Sequence, residues 1–412
     1  MDLKVDKQQI LECRMKSQAS SLIHERRSAN YKPNIWKYGF LESLNSKYDG
    51  DDYTRQSEKL IEDVRNHMMF VETEDLIAQL ELIDSIGKLG LTNHFEKEIK
   101  EALDTIASIE NNNPYMTENL YATALHFKIL RQQGYKVSQD VFGGFLDEKG
   151  MLEKSHFSDV KGMLELLEAS NLALDGENIL DEAKASSTVA LRDSNICNIL
   201  DNNLARHVVH ALELSSHRRV GWFNVKWHIH AYEKDNHVKT ILLELAKLNF
   251  NMVQATLQKD LKEASTWDVG ETEQLPGCMK ICFQVLYNTT CEIAHEIEEE
   301  NGWNLVLPHL SKVAEQERGD APSAILCYMR EMNASEPTSE AKIRGMIDNA
   351  WKKINGNCLR TPQQVPFLSP FINIATNIAR LAHILYQDGD GFGDQEKGSR
   401  LIHSLLAEPL LL

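Results

Sequence analysis

The sequence predicts an all-helical protein, on three observations, and its length suggests about two or three domains. Only 10 prolines and 21 glycines punctuate 412 residues. Strand-like alternation is nearly absent, and apolar residues recur at helical spacing along most of the chain. No motif repeats at a fixed period, which argues against a regular solenoid. With 42% hydrophobic residues there is ample material for a core.

Taken in order, the elements justify that class. Leu76, Leu80, Ile83 and Ile86 place one apolar stripe on one helix face, and Gly87 and Gly90 are expected to break it. Thr92 is expected to cap a second helix, with Glu96 and Glu98 in its first turns and Phe95, Ile99, Leu103 and Ile106 on its apolar face. The same grammar predicts helices over 163–172, 240–257, 279–297, 343–354 and 371–386. The stretch 184–203 is polar and reads as the approach to a domain boundary near residues 217–222.

Composition excludes several classes. There are 61 acidic against 44 basic residues, a formal net charge of -17. Nucleic-acid binding through phosphates needs a basic face, and anionic membrane surfaces need the same, so neither is expected. No apolar run is long enough to span a bilayer. The seven cysteines are odd in number and scattered, which reads as reduced thiols inside the cell. The start of the chain carries Asp2, Asp6, Glu12 and Glu25; transit peptides are poor in acids, so as written the chain reads as cytoplasmic. The histidines His207, His210, His217, His228 and His230 are expected to spread over several helix faces as ordinary surface or core residues. No GxxxxGK[ST] or GxGxxG loop is present.

The most specific motif lies near the start: Arg26, Arg27 and, after eight residues, Trp36, in RRSANYKPNIW. Tandem arginines give two planar donor forks able to clamp carboxylates, and the tryptophan is a large apolar anchor. This segment resembles the amino-terminal arm of plant terpene synthases, in particular the monoterpene-type branch. Further blocks continue the resemblance: LELIDSIGKLGL (80–91), NLYATALHFKILRQQGYKVSQDVFGGF (119–145), EASNLALDGENILDEA (168–183), HALEL (210–214), LLELAKLNFNMVQATLQKDLKEASTW (242–267), CMKICFQVLYNTTCEIA (278–294), ERGDAPSAILCYMREMNASE (317–336) and YQDGDGFGDQEKG (386–398).

The resemblance implies an arm over 1–25, an amino-terminal helical domain over 26–217 and a carboxy-terminal class I domain over 218–412. It implies a Mg²⁺-dependent (or Mn²⁺-dependent) ionisation of geranyl diphosphate to a monoterpene with release of diphosphate. It also implies a plastid address, which the first residues do not supply. Hard divalent cations take oxygen ligands, so the family holds them with carboxylates, in DDxxD and in (N/D)Dxx(S/T)xxxE.

The sequence departs from the family there. Adjacent aspartates occur once, as Asp51-Asp52 in what reads as a short polar loop, with Arg55 where DDxxD needs an acid. The chain passes from Trp267 directly to Asp268, and from Val313 to Ala314, where the family has intervening blocks carrying the metal ligands. Skipped exons or a faulty gene model would produce such joins. By residue-for-residue match, Glu315 is the remaining metal ligand. Arg318 lies near the diphosphate, Tyr386 and Asp390 belong to the loop that closes over the pocket, and Arg26, Arg27 and Trp36 to the cap. One carboxylate cannot organise a metal cluster, so impaired turnover is expected, as are exposed apolar faces where helices are missing. The other reading is a non-catalytic helical pseudo-enzyme that partners full-length relatives. Ser215 stands where the family usually has a proline after HALEL, which is expected to loosen the junction.

Overall fold

The computed structural model describes residues 38–66, 76–108, 118–193, 202–235, 239–265, 280, 324–360, 376–382, 384 and 395–412. Among these the architecture is all-α, and the one β feature is an isolated bridge between Leu146 and Leu152. The chain divides into two compact units, one of Met1–Pro33 with Pro276–Glu336, the other of Asn34–Leu275 with Pro337–Leu412.

The larger unit opens with α1 (Tyr38–Ser43), α2 (Asp51–Val64), α3 (Leu76–Lys88), α4 (Glu96–Ser108) and α5 (Leu120–Gln132). There follow α6 (Val160–Ser170), α7 (Asn178–Leu191), α8 (Asn202–Glu213), α9 (Gly221–Tyr232) and α10 (Thr240–Ser265). Its last described helices are α12 (Glu336–Arg360) and α13 (Gln395–Ala407). In the smaller unit α11 (Ala324–Met332) ends at Asn333, whose φ of 48° is the left-handed conformation of a helix stop.

The centre of the larger unit is the packing of α5 on α6 and of α6 on α7, with α3 against α5 and α9 against both α3 and α10. Phe127, Leu80, Ile86 and Leu166 are fully buried there. α5 is buried all round, Lys128 and Arg131 included, which makes it a core helix and not an amphipathic surface one. Asn119 starts it by accepting the Ala122 N–H at 3.1 Å.

Three expectations are corrected. α3 runs through Gly87 and stops at Lys88, because a single glycine costs a helix only about 1 kcal/mol. Gly90 ends it instead, at φ 75°. The Leu91 N–H reaches the Ile86 carbonyl at 3.0 Å and the Gly90 N–H reaches Gly87 at 3.1 Å, the paired bonds of a Schellman stop. A Cβ at Gly90 would lie 2.9 Å from the Val225 side chain, so α9 also depends on that glycine. Thr92 does not cap α4; it opens a 3₁₀ turn (Thr92–His94) and α4 begins at Glu96. Phe95, Ile99, Leu103 and Ile106 are buried as expected. Asp51 and Asp52 are not in a loop: they form the first turn of α2, where carboxylates favour the helix dipole. The polar stretch 184–203 is helical at both ends, in α7 and α8, with 194–201 outside the described residues.

α12 is tied to the region before α9 by polar contacts. Asn355 donates through Nδ2 to the carbonyls of Asn171 and Ala173, each at 3.0 Å, and its Oδ1 accepts from His217 Nε2 at 2.7 Å. Arg218 pairs with Asp348, Lys184 joins that carboxylate at 3.2 Å, and Lys352 meets Asp181 at 2.7 Å. Met346, Ile347, Ile378 and Leu381 are exposed, at 55%, 49%, 64% and 40%.

Ser215 has φ -63° and ψ 149°, the backbone a proline ring imposes. Its buried hydroxyl has no hydrogen-bond partner. Ser215→Pro is therefore expected to raise stability by about 0.4–1 kcal/mol through the unfolded chain. Thermal melts of the two proteins measure this, and a lower Tm for the variant would contradict the reading.

Candidate functional site

The most polar part of the core is built by three helices. Lys128, in the middle of α5, has a side chain only 3% exposed. Its ammonium lies 2.7 Å from Asp84 Oδ1 on α3 and also contacts Glu165 on α6. Asp84 takes a second cation, Lys88 one turn later on the same helix, at 2.6 Å. Burial alone would raise the Asp84 carboxyl, but Lys128 and Lys88 outweigh it and hold it well below the usual carboxylate range. Burial would likewise lower the Lys128 ammonium, and Asp84 and Glu165 drive it above its ordinary value instead. Glu168, one turn on from Glu165, accepts the Ser216 N–H at 2.9 Å and the Ser216 hydroxyl at 3.3 Å, which fixes the turn that leads into α9. Its carboxyl is raised by burial, against the pull of Lys128.

A cavity of about 210 Å³ opens beside this network, lined among others by Asp84, Lys88, Lys128, Ser216, Asn224 and His228. The two lysines on its wall are balanced by Asp84 and Glu165, so this network offers no surplus positive charge to a polyanion.

The histidines gather more than their spacing suggests, because α8 and α9 face each other. His210 stacks on Trp227 with ring centroids 3.8 Å apart and 8° between planes, and His207 meets the same indole edge-on at 5.1 Å. His228 lies 6.0 Å from His210. Burial, followed by Arg219, pushes His210 down to about 3. Burial, followed by Lys88, pushes His228 well below its ordinary value. These rings are neutral at physiological pH and form an aromatic packing layer, with no charge for a diphosphate.

Arg26, Arg27, Trp36, Glu315, Arg318, Tyr386 and Asp390 all lie outside the described residues, as do the joins at 267/268 and 313/314. The Lys128 network went unnoticed in the sequence. Its signal was a lysine inside the largely apolar run LHFKIL, together with Asp84 and Lys88 one turn apart.

Comparison with known proteins decides the family. The chain is 50% identical to "(E,E)-alpha-farnesene synthase" of Malus domestica, over 98% of each chain. The chain belongs to the terpene synthase family. The family's "Terpene synthase, N-terminal domain" matches residues 35–212. "Terpene synthase family, metal binding domain" matches 257–314, and "Terpene synthase family 2, C-terminal metal binding" matches 309–353. "Myrcene synthase, chloroplastic" of Quercus ilex is 32% identical over 94% of this chain and 90% of its own. Among solved structures, limonene synthase with 2-fluorolinalyl diphosphate superposes with a TM-score of 0.76 at 25% identity, covering 94% of this chain and all of its own. Isoprene synthase from grey poplar, in complex with three Mg²⁺ ions and dimethylallyl-S-thiolodiphosphate, gives 0.68 at 27% identity over 92% and 99% of the two chains.

The match to the apple terpene synthase runs over 567 residues, whereas this chain has 412. The match covers 98% of each chain, so most of the difference in length lies within it. No DDxxD occurs anywhere in the sequence. Asp51 and Asp52, the one adjacent pair, sit in the first turn of α2, and Arg55 pairs with Asp52 at 2.6 Å. Among the described residues no group of three His, Cys, Asp or Glu side chains is placed to hold a metal ion. No helix of the described residues is long and apolar enough to cross a membrane.

Two predictions follow from the buried charges. Lys128→Met leaves Asp84 and Glu165 buried without their shared cation, and is expected to cost about 3–5 kcal/mol. Urea unfolding measures it, and a loss below about 1 kcal/mol would show the pair to be dispensable. The second concerns His217, which burial and then Arg380 press down to about 4 from an ordinary 6.5. A depressed folded-state value means that the unfolded chain binds the proton more readily. The stability from neutral His217 is whole above about pH 6.5 and drains away as pH falls towards about 4. Tm measured across that window is expected to fall less steeply in His217→Gln than in the parent; equal slopes would remove His217 from the account.

Proposed function

We propose that this chain is a form of a plant class I terpene synthase whose metal-binding half has lost most of its ligands, and that it turns over isoprenyl diphosphates poorly or not at all. The observation that carries the reading is the internal shortfall against the apple relative, taken with the absence of DDxxD from the whole sequence. A diphosphate leaves an allylic carbon only when its developing charge is neutralised, and one matched carboxylate, Glu315, cannot recruit enough divalent cation to do so. Arg318, Tyr386 and Asp390 are the remaining substrate-side residues, and Arg26, Arg27 and Trp36 the cap, by match to the family. The family boundary is proposed at 217/218 and the two joins at 267/268 and 313/314. The second join is supported by the change from one metal-binding match to another over 309–314.

The monoterpene-type resemblance favours geranyl diphosphate as the ancestral substrate. A specific observation favours a C15 substrate instead: the relatives at 50% and 38% identity are both named farnesene synthases, whereas the myrcene synthase is 32% identical. We place the ancestral substrate with the C15 diphosphates on that gradient. The compartment is proposed as intracellular; the myrcene synthase is named chloroplastic and the apple relative is not. The second reading, a non-catalytic partner of full-length relatives, rests on the same missing ligands.

The test is to incubate the purified chain with Mg²⁺ and, separately, geranyl and farnesyl diphosphate, and to follow released diphosphate and volatile hydrocarbons. Neither substrate is expected to give product above a heat-denatured control. Sustained turnover of either would overturn the impairment, and the substrate that reacts would settle chain length.

A further inference from the structure

The carboxy terminus is held in a way that the metal chemistry does not explain. The last turn of α13 has four carbonyls with no partner inside the helix, and Pro409 prevents the helix from continuing. In most helices such carbonyls face water or a glycine stop. Here three of them, those of Ser404, Leu405 and Leu406, are met by side chains of two other helices. Gln254 Nε2 donates to the carbonyls of Leu405, at 2.8 Å, and Glu408, at 3.3 Å. Gln258 Nε2 donates to Leu406 O. Lys226 on α9 reaches the carbonyls of Ser404 and Glu408, both at 3.0 Å, and also the Ser404 hydroxyl and the Glu408 carboxylate. Beyond the proline, Asn251 uses both ends of its amide: Nδ2 donates to Leu410 O at 2.8 Å, and Oδ1 accepts the Leu410 N–H at 2.7 Å.

Asn251, Gln254 and Gln258 are spaced i, i+3, i+7, so they form one polar row along α10. All three are buried, Asn251 completely. Buried amides of this kind are costly unless paired, so the row demands an occupant. What it recognises is almost wholly main chain. The apolar anchors are Leu405 and Leu410, both buried, while Leu411 is 88% exposed and contributes nothing to the seat.

We propose that the face of α9 and α10 formed by Lys226, Asn251, Gln254 and Gln258 is a receptor for a peptide main chain, and that its occupant is the chain's own segment Leu405–Leu410. The row lies inside the block LLELAKLNFNMVQATLQKDLKEASTW that carried the family resemblance, and this gives its amides a role independent of catalysis. The segment closes the larger unit by fastening the last helix to α10. Because the contacts are to main chain, the tail tolerates new side chains at 408, 411 and 412 but not the loss of Leu410.

Hydrogen exchange on the full chain, read by NMR or by fragmentation mass spectrometry, tests this. In the parent protein the Leu410 amide is expected to exchange slowly despite lying two residues from the end. Asn251→Ala is expected to speed that amide by about tenfold or more while amides of α5, such as those of Phe127 and Ile129, stay protected. Glu408→Gln and removal of Leu411 with Leu412 are expected to leave Leu410 within about twofold of the parent. An unprotected Leu410 in the parent overturns the proposal, as does an Asn251→Ala chain whose Leu410 is unchanged. If Asn251→Ala also releases the α5 amides, the parent measurement alone decides. Strong loss of protection in Glu408→Gln would show that a side chain, not the main chain, is what is read.

Discussion

A lysine buried among carboxylates constrains the rest of this molecule. Lys128 sits at the centre of a helix buried on all sides and touches Asp84 on α3 and Glu165 on α6. Three helices must therefore approach one point in fixed register, since any that drifts leaves a charge in a medium that cannot solvate it. Such a network adds little net stability over a well-packed apolar core, but each member enforces the positions of the others. Glu168 extends the constraint through Ser216 to the turn before α9, and α9 carries it to α10 through the stacking of Trp222 on Phe250 at 4.9 Å.

Much of this fold was legible in the residues, and the failures have physical causes. Helical periodicity located α3, α4, α6 and α10 because their buried faces follow the 3.6-residue repeat. Gly87 misled because a glycine inside a helix costs little, and only Gly90, with its positive φ and its place under Val225, marks a true stop. Thr92 misled because its position suits either a cap or a 3₁₀ turn. The histidines looked dispersed because their clustering depends on α8 meeting α9, a tertiary fact that no single-helix projection contains. Lys128 was invisible for the same reason: a lone lysine in an apolar run has no partner until other helices bring one.

The candidate site was legible in a different way. Arg26, Arg27, Trp36, Glu315, Arg318, Tyr386 and Asp390 came from resemblance, and all lie outside the described residues. What the sequence states without any fold is the absence of DDxxD, an absence independent of how the chain packs. The family match is carried by the whole length, whereas the proposed impairment rests on a few positions.

The exposed Met346, Ile347, Ile378 and Leu381 bear on the fate of the polypeptide in a living cell. Chaperones and unfoldases bind branched and thioether side chains at a surface, and the time a protein spends in their hands shortens its lifetime. Exposed apolar side chains of this kind tie the lifetime of a folded chain to its encounters with that machinery.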